Sequence, residues 1–156
     1  MYKSDTFNKN DLVLVCIRDR ESIKILHKFG LPYTTSKTCQ LPFLLKKVAA
    51  KSGDIVQISN SGIVVNNKLV PNTVAVIKYK NIYLNPLSIG AKYILGKHDY
   101  FLLGLGNNSY DSRYFGVVHA ADLSYKAILF WPIKQPIWQA IVYKYYCHFI
   151  PSRERV

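Results

Sequence analysis

Acidic side chains are scarce in this chain of 156 residues: nine Asp and Glu stand against 21 Lys and Arg, a formal net charge of +12. Such a balance points to an anionic partner, either nucleic acid or acidic lipid headgroups. Metal-ligand spacing is missing. The four histidines (His27, His98, His119, His148) are scattered and no Cys-x-x-Cys occurs, which removes the common zinc and dithiol patterns. No glycine-rich phosphate loop is present: Gly104-Leu105-Gly106 precedes neither a helix start nor a Lys-Ser/Thr pair. No metal or organic cofactor is therefore implied. The apolar tail is too short, and too interrupted by Pro132, Lys134 and Pro136, for a membrane span. Neither a signal peptide nor an amino-terminal anchor is written in these residues, and no internal repeat is visible.

Apolar residues make up 49% of the chain, enough for a real core in one domain and too many for general disorder. Twelve tyrosines and two tryptophans accompany the positive charge. Such rings suit a membrane interface, where one end is wet and the other apolar, and they also stack on bases.

The local pattern predicts many short strands. Residues 12–17, 43–50, 55–58, 62–65, 68–70, 74–79, 100–105 and 125–131 are apolar or β-branched and bounded by turn signals. Asn66-Asn67 suits a tight hairpin, since Asn tolerates the left-handed region. Residues 21–29 carry helical spacing at Ile25, Leu26 and Phe29, with Gly30 as a stop. Close spacing of strands indicates a mainly β fold. The tail differs: Ile137, Trp138, Ile141, Val142, Tyr145, Tyr146 and Phe149 share one helical face. That C-terminal helix either packs on the body or lies in a membrane interface. The chain thus divides into a domain over 1–131 and an amphipathic extension over 132–156.

Two segments carry chemistry. The first is Ser109-Tyr110-Asp111-Ser112-Arg113-Tyr114-Phe115-Gly116. On an extended strand Asp111 and Arg113 share a face with Ser109, and a guanidinium there orients a carboxylate by paired hydrogen bonds. A surface loop with an incidental ion pair has the same composition. The second is Leu44-Leu45-Lys46-Lys47-Val48-Ala49-Ala50-Lys51-Ser52-Gly53-Asp54. Alternation turns one of Lys46 and Lys47 inward. A lysine among Leu and Val loses hydration, its pKa falls, and the neutral amine becomes a base for a serine hydroxyl. The alternative is a solvated basic pair guarding a strand edge.

The order of Asn10-Asp11-Leu12-Val13-Leu14-Val15-Cys16, the lysine run and SYDSRYFG resembles the type I signal peptidase family, serine peptidases with a Ser/Lys dyad. More narrowly it resembles the TraF-type conjugative-transfer peptidases, which mature pilin precursors. The resemblance covers residues 7–131. It implies a coiled, barrel-like arrangement of antiparallel β-sheets. Lys46, seven residues before Gly53-Asp54, matches the general base, with Lys47 in place of the family's arginine. Ser109 matches the serine that orients the lysine. Asp111 and Arg113 match an ion pair below the site, and Ser112 a supporting hydroxyl. Leu44 and Leu45 fall where the family lines a pocket for a small substrate residue. The family often carries cysteines at the places of Cys16 and Cys39, which implies a Cys16–Cys39 disulfide and an oxidising periplasm. Two buried free thiols are the alternative, and Cys147 stays unpaired either way.

The chain departs from the family at the nucleophile. No Ser-x-Pro precedes Lys46, and the only serine ahead of the Asp11 segment is Ser4. Counting back from Asp11 places the motif before Met1. The expectation is a chain that starts downstream of its nucleophile and is inactive by itself. Asn10 and Ser52 also stand where the family often has glycine and proline. The implied substrate is an exported precursor such as a pilin, at the periplasmic face of a bacterial inner membrane, with acidic lipid as a second partner and no nucleic acid. The rivals are a non-catalytic basic β domain that binds single-stranded nucleic acid and a structural part of a secretion assembly. The oligomeric state is open.

Overall fold

A computed structural model describes residues 6–106 and 108–127. In chain order the elements are β1 (Leu12–Val15), α1 (Arg20–Lys28), β2 (Leu44–Lys51), β3 (Ile55–Ser59), β4 (Gly62–Val65), β5 (Lys68–Leu69), β6 (Lys78–Tyr79), β7 (Ile82–Tyr83), β8 (Lys92–Ile94), β9 (Asp99–Leu103), α2 (Ser112–Phe115), β10 (Val118–His119), a 3-10 turn at Ala120–Asp122, and β11 (Leu123–Ala127). A five-stranded sheet runs β10-β9-β2-β1-β11, a four-stranded sheet runs β5-β4-β3-β8, and β6-β7 is a hairpin. All pairings are antiparallel. The expected mainly β class with few helices is what the chain adopts.

The five-stranded sheet separates two apolar cores. Val13, Val15, Val48, Tyr100 and Leu102 face the first, which α1 closes with Ile23 and Leu26. Ala50, Phe101 and Leu103 face the second, shared with Val56, Ile58, Ile63 and Val65 of the smaller sheet. Successive residues of β9 therefore supply opposite cores, as a pleated strand requires. In β2 the register against β9 shifts between Val48 and Ala50. The irregularity sends Val48 to one core and Ala50 to the other, although an unbroken strand would keep them on one face.

Local chemistry sets the ends of elements. Asp19 caps α1 by accepting from Ser22 N, and Gly30 leaves the helix at φ +94°. Asn66 and Asn67 turn at φ 47° and 64° between β4 and β5. Asn10 has φ 70°, which explains in this chain why Asn can stand where a glycine would serve.

Three expectations need correction. The strand over 74–79 is reduced to Lys78–Tyr79. Val74 and Val76 have their backbone groups taken by the side chains of Arg113 and Tyr114 rather than by a neighbouring strand. The 109–116 run is not extended: Asp111 caps the single helical turn of α2. Short strands β7, β8 and β10 were not anticipated, because two or three residues carry no readable alternation. The expected helix from Ile137, Cys147, Ser4 and residues 128–131 of the last strand lie outside the described residues.

Candidate active site

Lys46 sits on β2 opposite Val13 of β1, on the face that Val13 turns to the first core. It is only 7% exposed. Its Nζ donates to Ser109 Oγ at 2.5 Å. Removal from water is the largest influence on the amine and pulls its pKa from 10.5 to about 8. The Asp111 carboxylate works in the opposite direction, and the Arg113 guanidinium lowers it further. At pH 7.5 roughly a quarter of such an amine is neutral, against roughly one part in a thousand for an ordinary lysine. Lys47 is half-buried on the other face of the strand.

The loop that presents Ser109 is fixed from beneath by a fully buried ion pair. Asp111 is 0% and Arg113 3% exposed. Arg113 Nε donates to Asp111 Oδ1 at 2.8 Å and Nη2 to Oδ2 at 2.9 Å, a two-point contact. The same Nη2 donates to Ser109 O at 2.9 Å, so the guanidinium also holds the backbone of the serine. Asp111 accepts further from Gly104 N and Arg113 N. These bonds outweigh burial and hold the guanidinium more firmly protonated than an ordinary arginine. Ser112 Oγ accepts from Leu102 N at 2.9 Å and so ties the helical turn to β9.

Sequence reasoning missed Gly104. The β2–β9 register pairs Lys47 with Leu103, so one residue further Gly104 stands opposite Lys46. A Cβ on Gly104 would fall on Ser109 Cβ and Oγ. The hydroxyl reaches the lysine because this position has no side chain. A glycine closing an apolar strand run just before a loop was the available signal. Tyr114 and Tyr110 were also missed. Their rings stack at 5.0 Å, Tyr110 hydrogen-bonds Ser22 at 3.0 Å, and the Tyr114 hydroxyl bridges the N–H and C=O of Val76. Burial raises the Tyr110 pKa above its usual value.

The Gly53-Asp54 turn after the lysine strand is structural. Gly53 turns at φ +85°, and Asp54 accepts from Lys51 N, Asn66 Nδ2 and Lys9 Nζ. This knot fixes the end of β2 beyond Lys46. Leu44 and Leu45 pair with Val15 and Leu14 of β1, and both are half-buried. Cys16 and Cys39 are joined by a disulfide with Cα atoms 5.7 Å apart. It fastens the loop after α1 to the end of β1. No cluster of metal-ligating side chains exists among the described residues, and no described helix is long and apolar enough to cross a membrane.

Comparison with known proteins gives this geometry a context. A signal peptidase I from Enterococcus faecalis V583, known from its crystal structure, is similar at 17% identity over 76% of this chain and 93% of that one, with a TM-score of 0.38. No match was found among curated protein sequences. The family model for signal peptidase, peptidase S26, matches residues 1–131, most of the chain. With that span, the chain belongs to the signal peptidase family, peptidase S26, whose members are serine peptidases that process exported precursors.

Proposed function

We propose that Lys46 is the general base of a Ser/Lys dyad and that Ser109 orients it. The observation that carries this reading is the buried amine, held by Ser109 and poised near neutrality. The neutral amine takes a proton from a serine hydroxyl as that oxygen attacks a peptide carbonyl. An acyl-enzyme forms, the proton passes to the leaving amine, and the C–N bond breaks. Water or a second amine then releases the acyl group. Release by the substrate's own amino terminus would give a cyclic product.

The attacking serine lies outside the described residues, so residues 6–127 by themselves do not cut. The substrate is an exported precursor of the pilin type, processed by a TraF-like enzyme of conjugative transfer at the periplasmic face of the inner membrane. The peptide lies extended against the strands beside the site and pairs through its backbone. Leu44 and Leu45 offer a shallow apolar pocket for a small residue before the cut. The Cys16–Cys39 bond suits an oxidising compartment of this kind.

The test is precursor cleavage by the protein in its own membranes. Lys46→Ala should abolish cleavage with the fold retained, and Lys47→Ala should be mild. Dispensable Lys46 with essential Lys47 would overturn the assignment. Amino-terminal sequencing of the same protein, together with Ser4→Ala, identifies the nucleophile.

A further inference from the structure

Tyr110 follows Ser109 directly in the chain, and its side chain reaches α1. Ser22, Leu26 and Phe29 follow one another along that helix at four- and three-residue steps, a spacing that puts them on one face. Tyr110 meets both ends of this stripe. Its hydroxyl lies 3.0 Å from Ser22 Oγ, and its ring centre lies 6.3 Å from that of Phe29. Within its own loop the Tyr114 ring stacks on it at 5.0 Å, and the Phe115 ring is tilted against it at 6.0 Å.

The polar end of this contact is buried. Ser22 is only 2% exposed, beside Ile23 and Leu26 on the inner side of α1. A buried hydroxyl without a partner costs free energy, so such groups are paired. The Ser22 side chain is also the first cause of the lowered Asp19 pKa. A hydroxyl that serves a carboxylate donates to it, which leaves the phenol of Tyr110 to donate to Ser22. Burial raises the pKa of that phenol, the Ser22 hydrogen bond works against the rise, and Asp19, Tyr114 and Glu21 add to it. The phenol therefore keeps its proton over the range in which Lys46 titrates.

These contacts bear on the site through one peptide. Arg113 Nη2 donates to Ser109 O at 2.9 Å, and Gly104 leaves room for the Ser109 side chain. Tyr110 fixes the residue on the other side of that carbonyl. Turning this peptide would swing Ser109 Oγ off Lys46 and open the amine to water. We propose that Tyr110, braced by Ser22 and Phe29, is a positioning residue that keeps Ser109 Oγ on Lys46, so that α1 acts on the base through one tyrosine hydroxyl. This deepens the reading of Lys46 as the general base and rests on it. Packing alone would be served equally well by phenylalanine, so the hydroxyl separates the two roles.

The experiment begins with the 156-residue chain. Its lysines are labelled at Cε and titrated by NMR, and the Lys46 signal is identified by its loss in Lys46→Ala. The midpoint should lie near pH 8. Tyr110→Phe should raise it toward 10.5, because water reaching the amine relieves the burial that lowers it. Asp111 and Arg113 also act on this amine, and the substitution leaves their ion pair in place. Ser22→Ala should give the same rise and the double variant no more, since both remove one bond. Ile58→Val, in the core on the far side of the sheet, lowers stability and should leave the midpoint near 8. In precursor cleavage by the protein in its own membranes, Tyr110→Phe should lower kcat about tenfold with KM changed less than about twofold. A Tyr110→Phe midpoint that stays near 8 would overturn the proposal. So would additive shifts from Ser22→Ala and Tyr110→Phe, or an equal shift from Ile58→Val. The titration is read without cleavage, which keeps the two readings apart. Cleavage that survives Lys46→Ala, beside a raised midpoint in Tyr110→Phe, would sink the base assignment and leave the hold of Tyr110 on Ser109 standing.

Discussion

At the scale of single residues, Lys46 is held at a cost that pH relieves. Its pKa falls from 10.5 in the unfolded chain to about 8 in the folded one. Below pH 8 the amine is charged in both states, and the folded state bears the whole desolvation cost, on the order of 3 kcal/mol. Between pH 8 and 10.5 the unfolded chain keeps a proton that the folded chain has lost, so this group makes stability rise with pH across that window. Lys46→Met should therefore be more stable than the natural chain at pH 7 by roughly 1–3 kcal/mol, with the gain shrinking toward pH 10.5. Urea unfolding at several pH values measures it, and a pH-independent difference would contradict the buried-amine account. Cleavage should show the same group as an ascending limb near pH 8. Asp111 has the opposite balance. Asp111→Ala leaves a buried guanidinium without its carboxylate and should cost about 3–5 kcal/mol. An unchanged melting temperature would show that Arg113 finds solvent.

At the scale of elements, the site is a meeting of a strand and a turn. β2 supplies Lys46, and the loop between β9 and α2 supplies Ser109. Gly104 lies at their contact. Gly104→Ala should displace the Ser109 hydroxyl while sparing the sheet, since its backbone conformation is not left-handed. The added methyl meets Ser109 Cβ as well as Oγ, so the loop backbone must shift; cleavage by the folded protein should drop by about a hundredfold in kcat, and the melting temperature should fall as well. A large loss of stability with normal cleavage by the folded fraction would assign Gly104 to folding instead. Strands β1 to β5, β9 and β11, helix α1 and the Asn66-Asn67 turn were legible because each is written in contiguous residues. The 109–116 run was misread as extended. Nothing in SYDSRYFG announces that Asp111 will cap a turn, because its second oxygen answers Gly104 N on another element.

At the scale of the whole molecule, two apolar cores lie on either side of one sheet, and a disulfide secures the edge of the first. Cys16 and Cys39 are 23 residues apart. Closing a loop of that length in the unfolded chain is worth about 3 kcal/mol. Reductant, or Cys16→Ser with Cys39→Ser, should lower the urea midpoint accordingly. A midpoint insensitive to reductant would mean that α1 and its loop are held by packing alone. Charge is also organised globally: the 55–98 stretch has five of the chain's 21 basic residues and none of its nine acids.

The sequence by itself determined the mainly β class, the helix over α1, the asparagine turn and the identity of the chemical groups. These follow from periodicity, capping and side-chain type, which act over a few residues. Tertiary structure decided which groups meet. Lys46 and Ser109 are 63 residues apart, and their contact depends on the β2–β9 register and on the missing side chain of Gly104. The pKa of Lys46 is likewise not a local property. It is set by how completely two strands and a loop exclude water from one amine, with a carboxylate and a guanidinium competing nearby.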